Sequence, residues 1–572
     1  MTPLQILCKM KQYTTALLLF CTAVILLLPA CERQYEQLPL EKITEADLWD
    51  TKDSNAVYAN RYLGSIYSRL PSAKNRISGD FLDAATDDAV SSVEGAPVET
   101  MARGGITIFS NPDEAWNASY TGIRMCTNFL NNFGKVPLRN KIEKRAWFGE
   151  ARVMRAFFYW ELVKRYGGIP LLGDSLTDLR TNLQLPRNTF EECVAFIAGE
   201  CNRAMDSLRA DPADDNNTGR WTKAGAMALK ARVLLYAASP LYNGQRIGTD
   251  LNGYASYDGN RWKQAADAAG QIMDLQVFSI EPDFTDVFIS AKSTEVIYAK
   301  TEVRNTGIEN INGPPGFSTA IGSGRTSPTQ ELVDAFLMRN LKSIKEPGSG
   351  YDPGDPYANR DRRFYSTIFY NNAPWAGSRL QLYNGGMNRP GGSSIQTRTG
   401  YYMKKLMGRF ETQTQYTAQY HDNIYFRYGE VLLSYAEAMN EYAGPTPEVY
   451  DALDALLGRA FGDPEPGAPA FHLKRDMSRE AMRLFIRNQR RAELVLEEHR
   501  YWDLRRWKIA AQVYNRPLHG VMIRRASDGT LSFTEHEVLT TAFNPDKDYC
   551  YPIPFIEMAS NSRMIQNPGW TN

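Results

Sequence analysis

Apolar residues recur every three or four positions along much of the chain, with charged residues between them, which is the pattern of amphipathic helices. The pattern predicts helices over 112–133, 141–166, 189–208, 222–238, 261–275, 424–442, 447–460 and 478–508. Local signals support their ends. Thr189 and Glu192 have the spacing of a capping box, and the segment 141–166 is followed by Gly167 and Pro170, which terminate helices.

Several neighbouring helices are joined by short connections, as in tetratricopeptide-like repeats, although no strict 34-residue self-similarity is present. Between about 277 and 423 Gly, Pro, Asn and Ser cluster and helical periodicity fades, which predicts long loops. Asp528-Gly529 lies between two strand-like runs and predicts a β-hairpin. The predicted fold is mainly α: a tetratricopeptide-like helical-repeat scaffold with long loops and a minor β-hairpin component.

The N-terminus carries a different pattern, an apolar run without charge from Thr14 to Ala30, preceded by two lysines. A transmembrane helix needs roughly 20 apolar residues, whereas this run has the length and the basic flank of a signal peptide. It ends in "LPAC" at 28–31, which resembles the bacterial lipobox. We expect residues 1–30 to be a lipoprotein signal peptide and Cys31 to be lipidated; an uncleaved single-span anchor is the alternative.

Composition and charge narrow the class of protein. The chain has 43% hydrophobic and 12% aromatic residues, which fits an ordered globular protein, and its 65 basic and 65 acidic residues cancel and are interspersed. Such a chain lacks the basic surface expected of a nucleic-acid-binding protein. The cysteines after Cys31 do not form the disulfide framework of a small secreted domain. We expect them to be buried thiols: Cys126, Cys193, Cys201 and Cys550.

A series of motifs makes the chain recognisable. It contains "EARVMRAFFYWELVKRYGGIPL" at 150–171, "NIYFRYGEVLLSYAEAMNE" at 423–441, "RRAELVLEEHRYWDLRRW" at 490–507, and finally "YPIP" at 551–554 and "QNPGW" at 566–570. In type and order these resemble the conserved blocks of the RagB/SusD family of outer-membrane lipoproteins. The chain departs from the family pattern at Gln489, where the family has glutamate, and at Glu498, where it has glycine.

The resemblance implies a non-catalytic, lipid-anchored receptor at the outer membrane, facing the cell exterior. Such a receptor captures an oligosaccharide and delivers it to a SusC-like TonB-dependent transporter. A peptide-binding member of the same family and a non-catalytic helical-repeat scaffold for other envelope proteins are the alternatives. The expected organisation is a signal peptide at 1–30, an N-terminal helical-repeat region at 31–290, and a C-terminal RagB/SusD region at 291–572 packed with it as one unit.

The sequence offers little support for catalysis. Its five histidines do not have metal-ligand spacing, and neither a nucleophile elbow nor a phosphate-binding loop is present. We therefore expect neither enzymatic activity nor a cofactor or metal. The charged residues of the family blocks are interpreted as scaffold: Arg152 and Arg155 as partners of acids on other helices, and a ladder of ion pairs along one helix formed by Glu493, Glu497, Arg500, Asp503 and Arg506.

A sugar site needs aromatic rings for the apolar faces of the sugar and polar groups for its hydroxyls. The stretch 365–403 has this composition. It offers Tyr370, Trp375 and Tyr383 for stacking, and Arg379, Asn384 and Asn388 for hydrogen bonds. The alternative is that these aromatics cover the scaffold from outside. A second candidate, implied by the resemblance, is the early loop at 79–105, with Asp87, Asp88 and Arg103.

Overall fold

A computed structural model of the protein describes residues 44–176, 182–211, 215–317, 324–391, 396–462 and 469–571. The predicted signal peptide and Cys31 lie outside these residues. Within the described ranges, no helix combines the length and the apolar character needed to cross a bilayer.

Helices dominate the described chain. They are α1 (Glu45–Leu48), α2 (Val57–Ser68), α3 (Pro97–Ala102), α4 (Trp116–Asn132), α5 (Lys141–Tyr166), α6 (Phe190–Met205), α7 (Lys223–Ala238), α8 (Asn260–Met273), α9 (Asp286–Ile289), α10 (Gly307–Asn312), α11 (Gln330–Ala335), α12 (Arg362–Thr367), α13 (Tyr428–Ala443), α14 (Pro447–Phe461), α15 (Arg479–Leu494), α16 (Arg500–Arg506), α17 (Ala510–Val513) and α18 (Phe555–Ser560).

The strands are short and pair two by two. They are β1 (Ala89–Ser91), β2 (Val296–Lys300), β3 (Thr326–Pro328), β4 (Ile368–Phe369), β5 (Pro374–Trp375), β6 (Ser378–Arg379), β7 (Tyr402–Met403), β8 (Asn423–Arg427), β9 (Pro517–Arg525) and β10 (Leu531–Thr540). All pairs are antiparallel: β1 with β3, β2 with β8, β4 with β7, β5 with β6, and β9 with β10. The predicted mainly α fold with a minor hairpin component is confirmed.

The long helices form one continuous array. From α4 to α8 each helix packs against the next; α8 then packs against α13, which contacts α14 and α15. Helix α5 lies in the array with most of its residues buried. It ends at Gly167, whose φ of 77° and closeness to the carbonyl of Leu251 leave no room for a Cβ. The predicted cross-helix pairing is confirmed, because Arg152 and Arg155 both contact Glu200 on α6.

The predicted single helix at 478–508 is wrong, since the chain breaks it between α15 and α16. Leu496 and Glu498 have φ of 62° and 64°, in the left-handed region that ends helices. This geometry accounts for the glycine that the family has at 498. In this chain Glu498 adopts the left-handed conformation and pairs with Arg76.

The region between 277 and 423 contains more secondary structure than the loop prediction suggests. Its described part contains α9–α12, β2–β7 and a second hydrophobic core, and its last residues continue into β8. The elements are short, so periodicity did not reveal them. The hairpin prediction is confirmed: β9 and β10 pair from Arg525 and Leu531 outward, with Gly529 at φ 89° in the turn.

A candidate ligand cleft beside the C-terminal hairpin

Both sequence segments predicted to bind a ligand contribute to one cleft, together with the β9–β10 hairpin. We call it the hairpin cleft. It has a volume of about 790 Å³ and is lined by Ser92, Val93, Glu94, Asn384, Gly385, Arg389, Gly391, Gln396, Thr397, Arg398, Met522, His536, Glu537 and Val538. The early loop therefore meets the 365–403 stretch at this cleft, although the two are far apart in sequence.

Backbone hydrogen bonds fix the described residues 384–391 and 396–400, together called the 384–400 loop, against the hairpin. The Asn384 N–H donates to the Ile523 carbonyl at 2.9 Å, and the Val521 N–H donates to the Thr399 carbonyl at 2.7 Å. Gly400, with φ 83°, fits at the point where a Cβ would collide with the carbonyl of Val521 and would come within 3.0 Å of Arg389 Nη1. The loop thus holds its side chains on a rigid support.

Arg398 joins the three parts of the cleft. Its guanidinium donates to the carbonyl of Ser91 at 3.1 Å, to the carbonyl of Val538 at 2.7 Å, and to the carboxylate of Glu99. Glu94 lies 3.8 Å from the same group, with its side chain exposed. Because carboxylates already neutralise Arg398, its main role is to connect the early loop, the 384–400 loop and the hairpin.

Arg389 differs from Arg398. The residue is 8% exposed, and its Nη1 donates to the Val521 carbonyl at 2.9 Å. Among the described residues no carboxylate lies within ion-pair distance of it. Burial lowers the pKa of its guanidinium, and arginine side chains in proteins stay charged.

His536 lies next to these arginines. Its Nε2 is 3.1 Å from the carbonyl of Arg398. Burial, together with the charge of Arg389, lowers the pKa of His536, which favours its neutral imidazole. The described part of the lining is rich in hydrogen-bonding groups and contains no Phe, Tyr or Trp.

Of the predicted residues, Asn384 alone belongs to the described lining of the cleft. Asn384 is exposed. Tyr383 precedes it and is half-buried. The hydroxyl of Tyr383 donates to Gln381 Oε1 at 2.9 Å, and the guanidinium of Arg525 lies 5.4 Å from the centre of its ring.

The prediction of Trp375 as a stacking platform is corrected by its burial. The residue has no exposed surface, its Nε1 donates to the Tyr416 hydroxyl at 3.0 Å, and its ring packs against Phe369 and Phe410. A ring enclosed on all sides has no face left for a sugar. Tyr370 is half-buried in a similar aromatic cluster, 4.8 Å from the ring of Tyr357.

The remaining predicted polar residues of 365–403 do not line the cleft. Asn388 is fully buried and organises the loop: its Oδ1 accepts from the Gln381 N–H at 2.9 Å, and its Nδ2 donates to the Pro315 carbonyl at 2.7 Å. This corrects its predicted role as a ligand contact. Arg379 is exposed on the small β5–β6 hairpin and donates to the Asn372 carbonyl at 3.1 Å.

The early-loop acids are also corrected, because they form a buried ionic cluster. Asp87 accepts two hydrogen bonds from Arg500, and Asp88 accepts one from Arg491 at 2.6 Å. Burial alone raises the pKa of Asp87, but the two arginines outweigh it and hold the pKa well below its usual range. Arg103 is exposed just after α3 and is not part of the cleft lining.

Sequence reasoning found the segments but missed most of the lining. Arg389, Gln396 and Arg398 lie within the chosen stretch 365–403, yet nothing in their spacing separates them from Arg379 or Asn388. The hairpin supplies His536 and Glu537, whereas the sequence predicts the hairpin only as a structural element. The alternation of side chains along β10 is the signal that could have placed one face of the hairpin beside a loop.

The described residues show little sign of other chemistry. Cys126, Cys193, Cys201 and Cys550 are buried and unpaired, as predicted. Within the described ranges, no group of three or more His, Cys, Asp or Glu side chains has a metal-binding arrangement.

Two family models match the chain. One, for the SusD family, covers residues 294–570, and the other, described as starch-binding and associating with the outer membrane, covers residues 48–235. Together they span most of the described chain and include the cleft. The chain belongs to the RagB/SusD family.

Individual relatives are distant but cover nearly the whole protein. SusD-like protein P38 of Formosa agariphila is 21% identical over 540 residues, which cover 90% of this chain and 95% of the relative. A SusD-like protein of Bacteroides fragilis has a TM-score of 0.76 at 24% identity, covering 93% of this chain and all of that one. A SusD-like carbohydrate-binding protein of the same species has a TM-score of 0.71 at 22% identity, covering 89% of this chain and 99% of that one. At these identities the structural matches establish the RagB/SusD fold of the chain.

Proposed function

We propose that this RagB/SusD protein is a cell-surface nutrient-binding lipoprotein that captures an oligosaccharide in the hairpin cleft. The observation that carries the proposal is the cleft itself, where the early loop, the 384–400 loop and the hairpin bring amide, hydroxyl and guanidinium groups together on rigid supports. Such groups match the hydroxyl rim of a sugar. A structural relative whose name describes carbohydrate binding, and a family model whose name describes starch binding, point to the same ligand class.

The protein binds its ligand without transforming it in this proposal. Glu94 and Glu537, the carboxylates of the described lining, are both exposed to solvent, so neither has the enclosed position of a catalytic acid. The captured oligosaccharide passes to a SusC-like TonB-dependent transporter, and lipidated Cys31 holds the receptor at the outer membrane facing the exterior.

Glycan-array binding of the purified protein tests the capture of sugar, with peptide libraries as a parallel arm. We expect oligosaccharides to bind, and we expect Asn384→Ala to weaken their binding, because Asn384 lines the cleft. Arg379→Ala is the matched control, since Arg379 is exposed on the same stretch outside the cleft. Peptide binding without glycan binding would favour the peptide-binding alternative, and binding of neither would favour an envelope scaffold.

Two further experiments test attachment and delivery. Metabolic labelling with a fatty acid should mark the wild-type protein and not the Cys31→Ala variant; equal labelling would contradict the lipid anchor. Affinity purification from the native membrane should recover a TonB-dependent barrel together with this protein. Its absence under conditions that preserve outer-membrane complexes would contradict delivery.

A further inference from the structure

The hairpin cleft contains one buried cation whose charge the described protein does not neutralise. Arg389 is 8% exposed, its Nη1 donates to a neutral carbonyl, that of Val521, and no described carboxylate is within ion-pair distance. A buried guanidinium normally has an acidic partner, since an unpaired charge in a protein is costly. Arg187 and Arg360 are also buried and bound only by backbone carbonyls among the described residues, whereas Arg389 lines the wall of the hairpin cleft.

The other basic groups of the cleft are already compensated or are disfavoured in their charged form. Arg398 is paired with Glu99 and lies 3.8 Å from Glu94. Burial and the nearby guanidinium of Arg389 lower the pKa of His536, which disfavours its charged form. The positive charge available to a ligand is therefore concentrated on Arg389.

The surroundings of Arg389 are built to keep it in place. Arg389 closes a tight turn. Its N–H donates to the Gly386 carbonyl at 3.0 Å, and its carbonyl accepts from the Gly385 N–H at 3.0 Å. Gly400 leaves the space that Nη1 occupies. Asn384, Gln396 and Thr397 line the same cleft and supply neutral hydrogen-bonding groups.

The lining residues that the structure describes also include no Phe, Tyr or Trp. A neutral sugar without a stacking ring would depend on exposed hydrogen bonds alone, each of which contributes little in competition with water. A guanidinium binding an anionic group contributes more, through charge-assisted and bidentate hydrogen bonds.

We infer that the oligosaccharide bound in the hairpin cleft is anionic, with a carboxylate or sulfate group bound by Arg389 and sugar hydroxyls bound by Asn384 and Gln396. This inference rests on the proposed function and names its ligand class. Glu94 and Glu537 lie at the solvent-exposed edge of the cleft, where water screens their repulsion of the anion.

Calorimetric titration of the purified protein with matched pairs of oligosaccharides tests the inference. Oligogalacturonate and its carboxyl-reduced form make the carboxylate arm; a carrageenan oligosaccharide and its desulfated form make the sulfate arm. We expect the charged member of at least one pair to bind at least tenfold more tightly than its neutral counterpart, and its affinity to fall as NaCl is raised. The arm that shows the preference identifies the anionic group.

Variants assign the effect to one residue. Arg389→Gln should abolish the preference for the charged member, whereas Arg389→Lys should retain part of it together with the salt dependence. Arg61→Gln, at an exposed arginine on α2, is the matched control and should bind like wild type. Near-identical circular dichroism spectra and melting temperatures confirm that the variants are folded. If Arg389→Gln does not fold, the inference is tested by the salt titration and by comparing the preference of Arg389→Lys for the charged member with that of wild type.

The outcomes are distinguishable. Equal affinity for charged and neutral members, weakened by Asn384→Ala, would overturn the inference and leave the proposed function standing. A preference for the anion that persists in Arg389→Gln would also overturn it. Binding of no saccharide at all would overturn the proposed function and the inference together.

Discussion

At the scale of single residues, this protein uses many of its charged side chains to hold its core together. Glu493 on α15 accepts hydrogen bonds from Arg363, Arg427 and Arg459, and all four side chains are almost fully buried. The ladder predicted along one helix is therefore largely replaced by pairs between elements; within the predicted set, Asp503 and Arg506 keep their pairing three residues apart.

Replacing Glu493 with glutamine should be strongly destabilising, because three buried guanidinium groups would lose a shared counter-charge. We expect a loss of roughly 3–5 kcal/mol in the free energy of unfolding. Thermal unfolding monitored by circular dichroism measures it. Glu480→Gln, at an exposed position on the same helix, should change the melting temperature little; similar losses in both variants would contradict the account.

Asp83 should make stability depend on pH. Burial and the nearby charge of Asp88 raise the pKa of Asp83 to about 7. A carboxyl whose pKa is raised by folding contributes stability that is present below its unfolded pKa, near pH 4, and is lost as the pH rises through the folded value. On this basis the titration of Asp83 lowers the free energy of unfolding by on the order of 2–4 kcal/mol between pH 4 and pH 8.

The Asp83→Asn variant removes this titration and keeps an oxygen for the Leu496 N–H, which donates to Asp83 at 2.8 Å. The variant should gain stability relative to wild type as the pH is raised from 5 to 8, as measured by melting temperatures in matched buffers. Asp267→Asn, at an exposed residue on α8, serves as the control. If the difference in melting temperature between wild type and variant does not change with pH, the prediction is contradicted.

At the scale of elements, the sequence predicted the long helices well and the short elements poorly. Helix α5 has the predicted bounds, because its apolar periodicity is long and its ends carry explicit signals. The break between α15 and α16 escaped because Glu498 occupies a left-handed position without the glycine that would have marked it. The predicted helix at 424–442 begins at Tyr428, since the residues before it pair with β2 instead.

The same limits explain the candidate site. Composition located the two segments that form the cleft, but it could not separate core aromatics from surface aromatics. Trp375 and Tyr383 suit a stacking role equally well in sequence, yet Trp375 is enclosed by Phe369 and Phe410, whereas Tyr383 is half-buried and directly precedes the lining residue Asn384. Asp87 and Asp88 were indistinguishable from ligand contacts until Arg491 and Arg500, about 400 residues away in the chain, were placed beside them.

Trp375→Ala tests the corrected role of this residue. Removing a fully buried indole should cost roughly 3–5 kcal/mol in the free energy of unfolding, while leaving glycan affinity within about twofold when the variant is folded. Asn384→Ala should show the opposite pattern, with unchanged melting temperature and weakened binding. Chemical denaturation and titration of both variants give the comparison; lost affinity in a folded Trp375→Ala variant would return the ring to the binding site.

At the scale of the whole molecule, the C-terminal residues pack against the N-terminal helical region. The Tyr551 N–H donates to the carbonyl of Arg165, its hydroxyl donates to Asp113, and Asn567 Nδ2 donates to the carbonyl of Tyr166. The C-terminal residues thus cover the end of α5, which belongs to the N-terminal helical region. These contacts favour the prediction that the regions 31–290 and 291–572 behave as one unit.

Scanning calorimetry tests this unity. The purified protein should unfold in a single transition, and removal of residues 551–572 should lower the melting temperature of the entire molecule, because buried partners on α5 would lose their contacts. Two well-separated transitions in the intact protein would contradict a single cooperative unit. A transition unchanged by the deletion would show that the C-terminal contacts contribute little.

The central claim is that the hairpin cleft is where this RagB/SusD protein holds its oligosaccharide. Hydrogen–deuterium exchange, recorded with and without a glycan that binds in the array, measures this most directly because it reports on every segment of the intact chain. The account predicts slower exchange in 384–400 and in the hairpin strands beside them, with no change around Trp375. Protection confined to other surfaces of the protein, with the cleft unaffected, would contradict it.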